Sequence, residues 1–394
     1  MTSGPLRQLK VLDFSTLLPG PYATMLLADM GAEVLRIESP TRKDLLNELP
    51  PHVGKRSAAH LTINRNKKSL TLDLKNSAAP DIVFQLIQSY DVVVEQFRPG
   101  VMQRLGLDYE TLKAVNPALI YCSITGYGHT GPLKDKAGHD INYLALSGLA
   151  SYSGRKETGP VLSGTQVADI AGGSHHAVMA IMAAYIERTQ TGTGQFLDIS
   201  MSDAALSLNA MYSAATLAVE QTPQCGHESL NGGLFYDYYA TKDGRYFSVG
   251  ALEPQFVIEF FSKIGHPTWA LRAKKPAGKQ DKLKADIAKT FAKKTFAEWQ
   301  VIFADSDCCV EPVLNLDEAL NHPHFEQRNM LQDCTLESGQ SIRQVAPAIK
   351  FSQPFNECTP GPIPGQHSSE ILQQLGFEQS HIQQLIKNKV TTQA

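Results

Sequence analysis

The chain has 394 residues, of which 42% are hydrophobic and 19% charged, and its formal net charge is -3 at pH 7. That length accommodates two domains, and the composition is that of an ordinary globular protein. A balance so close to neutral excludes a general nucleic-acid binder or membrane-surface binder. No apolar span reaches the length of a membrane helix, and the N-terminal MTSGPLRQLK lacks the apolar core of a signal peptide. The C-terminal KVTTQA is neither a peroxisomal tripeptide nor a prenylation box.

The first 125 residues alternate strand and helix. KVLDFS (10–15) reads as a strand, PYATMLLADMG (21–31) as a helix begun by Pro21 and stopped by Gly31, and EVLRIE (33–38) as a strand. SLTLDL (69–74) is strand-like, APDIVFQLIQSY (79–90) is helical, and DVVVEQF (91–97) is a β-branched run suited to a strand buried on both faces. A short helix near 108–115 leads to the strand ALIYCSIT (118–125). This rhythm predicts a parallel sheet covered by helices. From Gly138 to about Glu220 the chain reads as mainly helical, broken by a strand at QFLDIS (195–200). In FYDYYATKDGRYFSVGAL (235–252), two aromatic-rich strands flank Lys242-Asp243-Gly244, a hairpin signal. Short amphipathic helices follow, and a smaller second domain is expected at 225–325. The tail EILQQLGFEQSHIQQLIKNK (370–389) reads as helical with a break at Gly376.

Six cysteines, at positions 122, 225, 308, 309, 334 and 358, are scattered, and none falls in a CxxC pair. Zinc is not expected, and a reducing cytoplasm is the simplest setting. Cys308-Cys309 is expected as the buried start of a strand. Residues 126–131 match GxGxxG, but Pro132 follows at once, so the segment reads as a loop rather than a dinucleotide site.

Two segments carry candidate chemistry. GHDINYLALSG places His139 and Asp140 where a helix could begin, and QVADIAGGSHHAVMAIMAAY places Asp169 at the head of an apolar run. Each Asp stands where an N-cap is favoured. The same residues could remove a proton next to a carbonyl. An imidazole near neutrality serves as base, a carboxyl kept partly protonated serves as acid, and free helix-start amides hold an enolate oxygen. Pattern alone leaves both readings open. His175 and His176 are expected to be packed or hydrogen-bonded, and His129 has no clear partner.

VLDFSTLLPGPYATMLLADMGAEVLRIE, NRNKKSLTLDLK, EQFRPGVMQRLGLDY, AGHDINYLALSG, VADIAGGSHHAVMAIMAAYIERTQTGTGQ, KDGRYFSVGALEPQF and PVLNLDEALNHPHF recur in order over nearly the whole chain. With these motifs the chain resembles the family III CoA-transferase superfamily, and within it the α-methylacyl-CoA racemases. The resemblance implies an α/β fold, with a large Rossmann-like domain that carries a parallel sheet and is built from N- and C-terminal parts of the chain (1–224 and 326–394). It adds a small α+β middle domain (225–325) and an interlocked homodimer. It implies a racemase that epimerises 2-methylacyl-CoA thioesters of lipid metabolism, with His139 and Asp169 as the acid/base pair. Glu253, in GALEPQF, would orient the imidazole, and the Asp140 N–H would donate to the thioester oxygen. No cofactor is implied beyond the CoA moiety of the substrate. Arg104 would meet the CoA phosphates. Leu72, Asp73, Leu74 and Lys75 would line the nucleotide, Gln96, Phe97 and Arg98 would form another wall, and Gly138 to Tyr143 would follow the pantetheine. The site would lie between the large domain of one subunit and the small domain of the other. The transferase branch is the alternative, with Asp169 as covalent nucleophile, and a CoA-dependent binding protein is a third reading. One departure stands out. Many relatives have Arg-Pro after the second strand, and this chain has Ser39-Pro40, with Arg36 or Arg42 as substitutes.

Overall fold

In the computed structural model, which describes residues 3–352 and 357–394, each apolar run expected in the parallel sheet is a strand. The strands are β1 (Lys10–Asp13), β2 (Glu33–Glu38), β3 (Lys67–Thr71), β4 (Val92–Glu95), β5 (Ile120–Thr125) and β6 (Phe196–Ser200). They form one sheet in the order β6-β5-β4-β1-β2-β3, with every pairing parallel. This is a doubly wound order. The order in which strands are added reverses between β1 and β4, and ligands of such sheets bind in the crevice outside the carboxyl ends at that point.

Helices cover both faces. Alternation sends Val93 to one core and Val92 and Val94 to the other, which explains the unbroken apolar run at β4. α1 (Pro19–Asp29), α5 (His176–Thr191) and α6 (Met201–Ser207) lie on the second face, and α2 (Ala79–Ile87) and α3 (Tyr109–Val115) on the first. α4 (Asp140–Leu146) follows the long loop after β5. The expected single helix over 166–190 is two elements. Ala168–His175 is π-helical, and α5 begins at His176.

Apart from the last two residues of α4, these elements belong to a unit made of Met1–Leu144, Thr165–Ser207 and Glu326–Ala394; the second unit is Ala145–Gly164 with Leu208–Phe325. Residues 145–164 and 208–224, assigned to the large domain from sequence, therefore group with the second unit. Specific bonds hold them there: the Tyr152 hydroxyl donates to Asn209, and the Arg155 guanidinium grips Asp237 through both Nη atoms at 2.9 and 3.0 Å. That unit contains α7 (Ala210–Val219), the antiparallel strands β7 (Asp237–Ala240), β8 (Tyr246–Val249) and β9 (Val310–Pro312), and helices α8 (Pro254–Lys263), α9 (Asp281–Phe291) and α10 (Phe296–Phe303). Its core is aromatic, with Phe247, Phe260, Phe291 and Trp299 almost wholly buried. The expected hairpin is present, with Gly244 at φ +77° in its turn.

The C-terminal part returns to the first unit. A hairpin of β10 (Leu331–Thr335) and β11 (Ser341–Val345) was not anticipated from sequence. α11 (Ser368–Gln374) and α12 (Gln379–Lys387) complete one core through Leu372, Ile382 and Leu385. The tail then lies along β3, where the Thr391 hydroxyl donates to Thr71 O at 2.6 Å and the Asp73 N–H to Val390 O at 2.8 Å. A disulfide joins Cys334 and Cys358, whose Cα atoms are 5.2 Å apart. The bridge removes the support that the scattered cysteines lent to a reducing cytoplasm. Cys308 is buried, but Cys309 is exposed at φ +56°, so the pair is only half buried. Among the described residues, no helix is long and apolar enough to cross a membrane.

Beneath the sheet's carboxyl edge, the fully buried Lys67 ammonium donates to Pro21 O and Thr24 Oγ1 at 2.8 Å and to Asn64 Oδ1 at 3.0 Å, and it lies 3.4 Å from Asp13 Oδ2. Burial brings this ammonium down to about 7, against the opposing pull of the Asp13 carboxylate. Lys67→Met leaves the Asp13 carboxylate buried without its cation. Denaturant unfolding is expected to show a loss of about 3–5 kcal/mol, and a loss under about 1 kcal/mol would show that the pair stabilises little.

Candidate active site

The residues singled out from sequence in the first unit fall in loops at the carboxyl edge of the sheet. Leu72, Asp73, Leu74 and Lys75 follow β3. Gln96, Phe97 and Arg98 follow β4 at the point of reversal, and Arg104 ends the short helix Val101–Arg104. Gly138 to Tyr143 end the loop after β5 and open α4. From β5 to β3 is four inter-strand spacings, about 19 Å, so these loops can line an extended ligand. The Gly20 N–H, at the start of α1, donates to Gln96 Oε1 at 3.0 Å, and a Cβ on Gly20 would run into Ser15 and that oxygen. Lys75, Arg98 and Arg104 are exposed, and among the described residues their cationic heads have no hydrogen-bond or ion-pair partner. Of the two substitutes proposed for Ser39, Arg36 is ruled out. It is fully buried and paired with Asp44 at 3.0 Å and Glu38 at 3.3 Å. Arg42 is exposed, and its backbone N–H donates to Ser39 Oγ at 3.0 Å.

His139 and Asp169 come together. His139 occupies the cap position of α4, and its backbone N–H donates to Asn142 Oδ1 at 3.0 Å, the return half of a capping box. Asp140 is the first helical residue, not the cap. Its N–H has no partner among the described residues, as expected for a first-turn donor. Its carboxylate reaches across to the other segment and accepts the Asp169 N–H at 3.0 Å. Asp169 does not cap its helix either. Burial pushes the Asp169 carboxyl up to about 6, the Asp140 carboxylate adds to the push, and His139 opposes it. The imidazole of His139 is exposed, and neither it nor the Asp169 carboxylate is spent on a protein hydrogen bond among the described residues.

Glycines and a π-helical turn set Asp169 in place. A Cβ on Gly173 would press on Pro19 at 3.2 Å and on Met201 Sδ at 3.3 Å, and one on Gly172 would press on Ala204 at 3.4 Å. The Ser174 hydroxyl donates to Pro19 O at 2.7 Å and Asp169 O at 3.1 Å, locking the turn to α1. On the other side the Tyr143 ring fills space that glycines leave. A Cβ on Gly126 or Gly138 would meet it at 2.6–2.7 Å, and its hydroxyl donates to Gly138 O at 2.6 Å. Burial, together with Asp169, Tyr127 and Asp140, pushes that hydroxyl up to about 12, so it stays a donor.

Glu253 lies in the second unit, in the cap position before Pro254 of α8. Its carboxylate does not cap that helix, is exposed, and has no partner among the described residues. His176 Nδ1 lies 2.7 Å from Ala171 O, and the His175 ring lies 6.1 Å from that of Tyr22. His129 has a partner after all, with Nε2 2.7 Å from Ser123 Oγ. Among the described residues, no three His, Cys, Asp or Glu side chains converge as a metal site.

Asp140→Asn keeps the oxygen that accepts the Asp169 N–H and removes the neighbouring charge. A carboxyl-carbon NMR titration is expected to move Asp169 down from about 6 toward the usual aspartate range. An unchanged or higher midpoint would show that Asp140 does not set it.

Comparison with known proteins places this geometry. The family profile described as CoA-transferase family III matches residues 6–368. The chain is 35% identical over 387 residues to the α-methylacyl-CoA racemase of Homo sapiens, covering 98% of this chain and 97% of that protein. It is 31% identical over 399 residues to the succinyl-CoA:glutarate CoA-transferase of Homo sapiens, covering 99% and 90%. Among solved structures, a CAIB/BAIF family protein from Brucella suis matches with a TM-score of 0.83 at 28% identity, covering 95% of this chain and 100% of that one. With a match that runs nearly from end to end, the chain belongs to CoA-transferase family III and is one of its enzymes.

Proposed function

We propose that the chain is a racemase that interconverts the 2R and 2S forms of 2-methylacyl-CoA thioesters. The observation that carries this reading is the pairing of an unspent imidazole with an unspent carboxyl whose proton is lost at about 6. An acid/base partner must hold its proton part of the time, whereas a covalent nucleophile must be ionised. His139 takes the C2 proton of one epimer. The enolate oxygen rests on the Asp140 N–H, and the Asp169 carboxyl returns a proton to the opposite face. The roles exchange for the other epimer. Glu253 fixes the working tautomer of the imidazole. Lys75, Arg98, Arg104 and Arg42 are the unpaired cations available to the coenzyme phosphates, and the loops 72–75, 96–98 and 138–143 line its length. The CoA-transferase reading is favoured by the 31%-identical transferase relative. It needs Asp169 as nucleophile and gives His139 no task.

We propose further that the working form is a homodimer. α7 is apolar in sequence and buries none of its residues, with Leu217 86% exposed and Met211 62%. A surface of that kind needs a cover, and a second copy supplies one. Glu253 of one copy then completes the site of the other.

An enantiopure 2-methylacyl-CoA with no acyl acceptor is expected to reach an equal mixture of epimers by chiral chromatography. A hydroxylamine-trapped acyl anhydride at Asp169 with retained configuration would instead establish the transferase. Both directions need one proton on the His139–Asp169 pair, so both follow one bell-shaped pH dependence. Asp140→Asn, by lowering the carboxyl, is expected to move the acid limb to lower pH. In sedimentation, Leu217→Glu is expected to convert a dimer to monomers; a wild-type monomer would remove the dimer proposal.

A further inference from the structure

An open sheet ends in strands whose outer backbone groups need partners. β3 is such an edge, being last in the sheet order. Its outer groups, from the Ser69 N–H to the Asp73 N–H, are all taken by the C-terminal part of the chain. The His367 N–H donates to Ser69 O at 3.0 Å, and the Ser69 N–H donates to His367 Nδ1 at 3.2 Å. The Thr71 N–H donates to Ser368 Oγ at 3.3 Å, and Thr71 O accepts the Thr391 hydroxyl at 2.6 Å. The Asp73 N–H donates to Val390 O at 2.8 Å.

The last residues therefore form a strap along β3. The β-branched run Val390-Thr391-Thr392 suits an extended course. Val390 is buried in the same core as Leu72, and Thr391 is wholly buried. The Thr392 N–H donates to Thr71 Oγ1 at 2.8 Å, and Gly365 lets the strap approach, since a Cβ there would meet Thr392 O at 2.8 Å. Gln393 closes the strap by donating to Gln366 O at 3.0 Å and accepting the Ser369 N–H at 2.9 Å.

The strap ends where the loop 72–75 begins. Asp73 Oδ1 accepts the Lys75 N–H at 3.2 Å, and Asp73 O accepts the Asn76 N–H at 2.9 Å. On the other side the Leu72 N–H donates to Glu38 O at 2.7 Å. The loop is thus clamped between the end of β2 and the strap. A loop held in place before its ligand arrives binds without first being ordered, and releasing it adds that cost to binding.

We infer that Thr391, through the strap it anchors, is a positioning residue for the nucleotide end of the coenzyme. The inference rests on the proposed reading of the loop 72–75 as the nucleotide wall. Thr391 acts through Thr71 and the backbone of Asp73, so its effect falls on nucleotide affinity and not on the chemistry at C2.

The test measures calorimetric binding of adenosine 3′,5′-bisphosphate, the nucleotide end of coenzyme A, to the full chain. Thr391→Val keeps the branched shape and removes the donor to Thr71 O, so Kd is expected to rise about tenfold. Thr391→Ser is expected to restore it. In Thr391→Val the Asp73 and Thr392 amides are expected to exchange faster while Val93, inside the sheet, keeps its rate, a local opening that a general loss of stability would not produce. A second measurement needs no variant. Coupling is reciprocal, so saturating the wild-type chain with the nucleotide is expected to slow exchange of the Thr392 amide together with that of Asp73. An unchanged Kd in Thr391→Val, no rescue by Thr391→Ser, or a Thr392 amide indifferent to the nucleotide overturns the inference. Lys75→Gln separates this failure from that of the wall. If it weakens binding while Thr391→Val does not, the wall stands and the strap's role falls; if neither does, or the wild-type chain binds no nucleotide, both fall. No turnover is read, so the racemase chemistry is judged separately.

Discussion

One hydrogen bond joins the two halves of the candidate site: the Asp140 carboxylate accepts the Asp169 N–H at 3.0 Å. It fixes the start of α4 against the π-helical turn and so sets His139 beside Asp169. It also brings a negative charge to a carboxyl already penalised by burial, and the two effects act in the same direction on Asp169. The position of Asp169 and part of its proton affinity are therefore set by the same residue.

The fold explains why this tie is in reach. A doubly wound sheet delivers the loops after β1, β4 and β5 to one edge. α1 begins there with its first residues pinned to Gln96 on one side and to Ser174 on the other. The glycines at 20 and 173 are the condition for that close approach, because a Cβ at 20 would run into Ser15 and Gln96 and one at 173 would press on Pro19 and Met201. Below them, Lys67 and Asp13, both fully buried, cross-link β3, β1 and the start of α1.

The sheet was legible because strands buried on both faces leave uninterrupted β-branched runs, as at Val92–Val94, and because glycine and proline mark α1 and the 242–244 turn. The β10–β11 hairpin was not, since LQDCT and SIRQV bury only Cys334 and Gln344 and carry little apolar signal. His139 and Asp169 stood out as residue types in suggestive places, yet both aspartates read equally well as helix caps. Only the structure shows that neither carboxylate caps its helix. The partners of His129 were hidden because Ser123 and Asp198 come from two strands, and register across strands is not written in any local pattern. The Cys334–Cys358 bridge was hidden for a related reason, since spacing alone does not determine which cysteines meet.

The central claim is that the imidazole and the carboxyl address one carbon from opposite faces. It is tested most directly by exchange of the C2 hydrogen with solvent deuterium, using each epimer separately with His139→Ala and Asp169→Asn. The account predicts that each variant loses exchange from a different epimer, His139→Ala from the one the imidazole deprotonates and Asp169→Asn from the other, by about 10²–10⁴-fold. Full exchange from both epimers in His139→Ala, or loss from the same epimer in both variants, would contradict it.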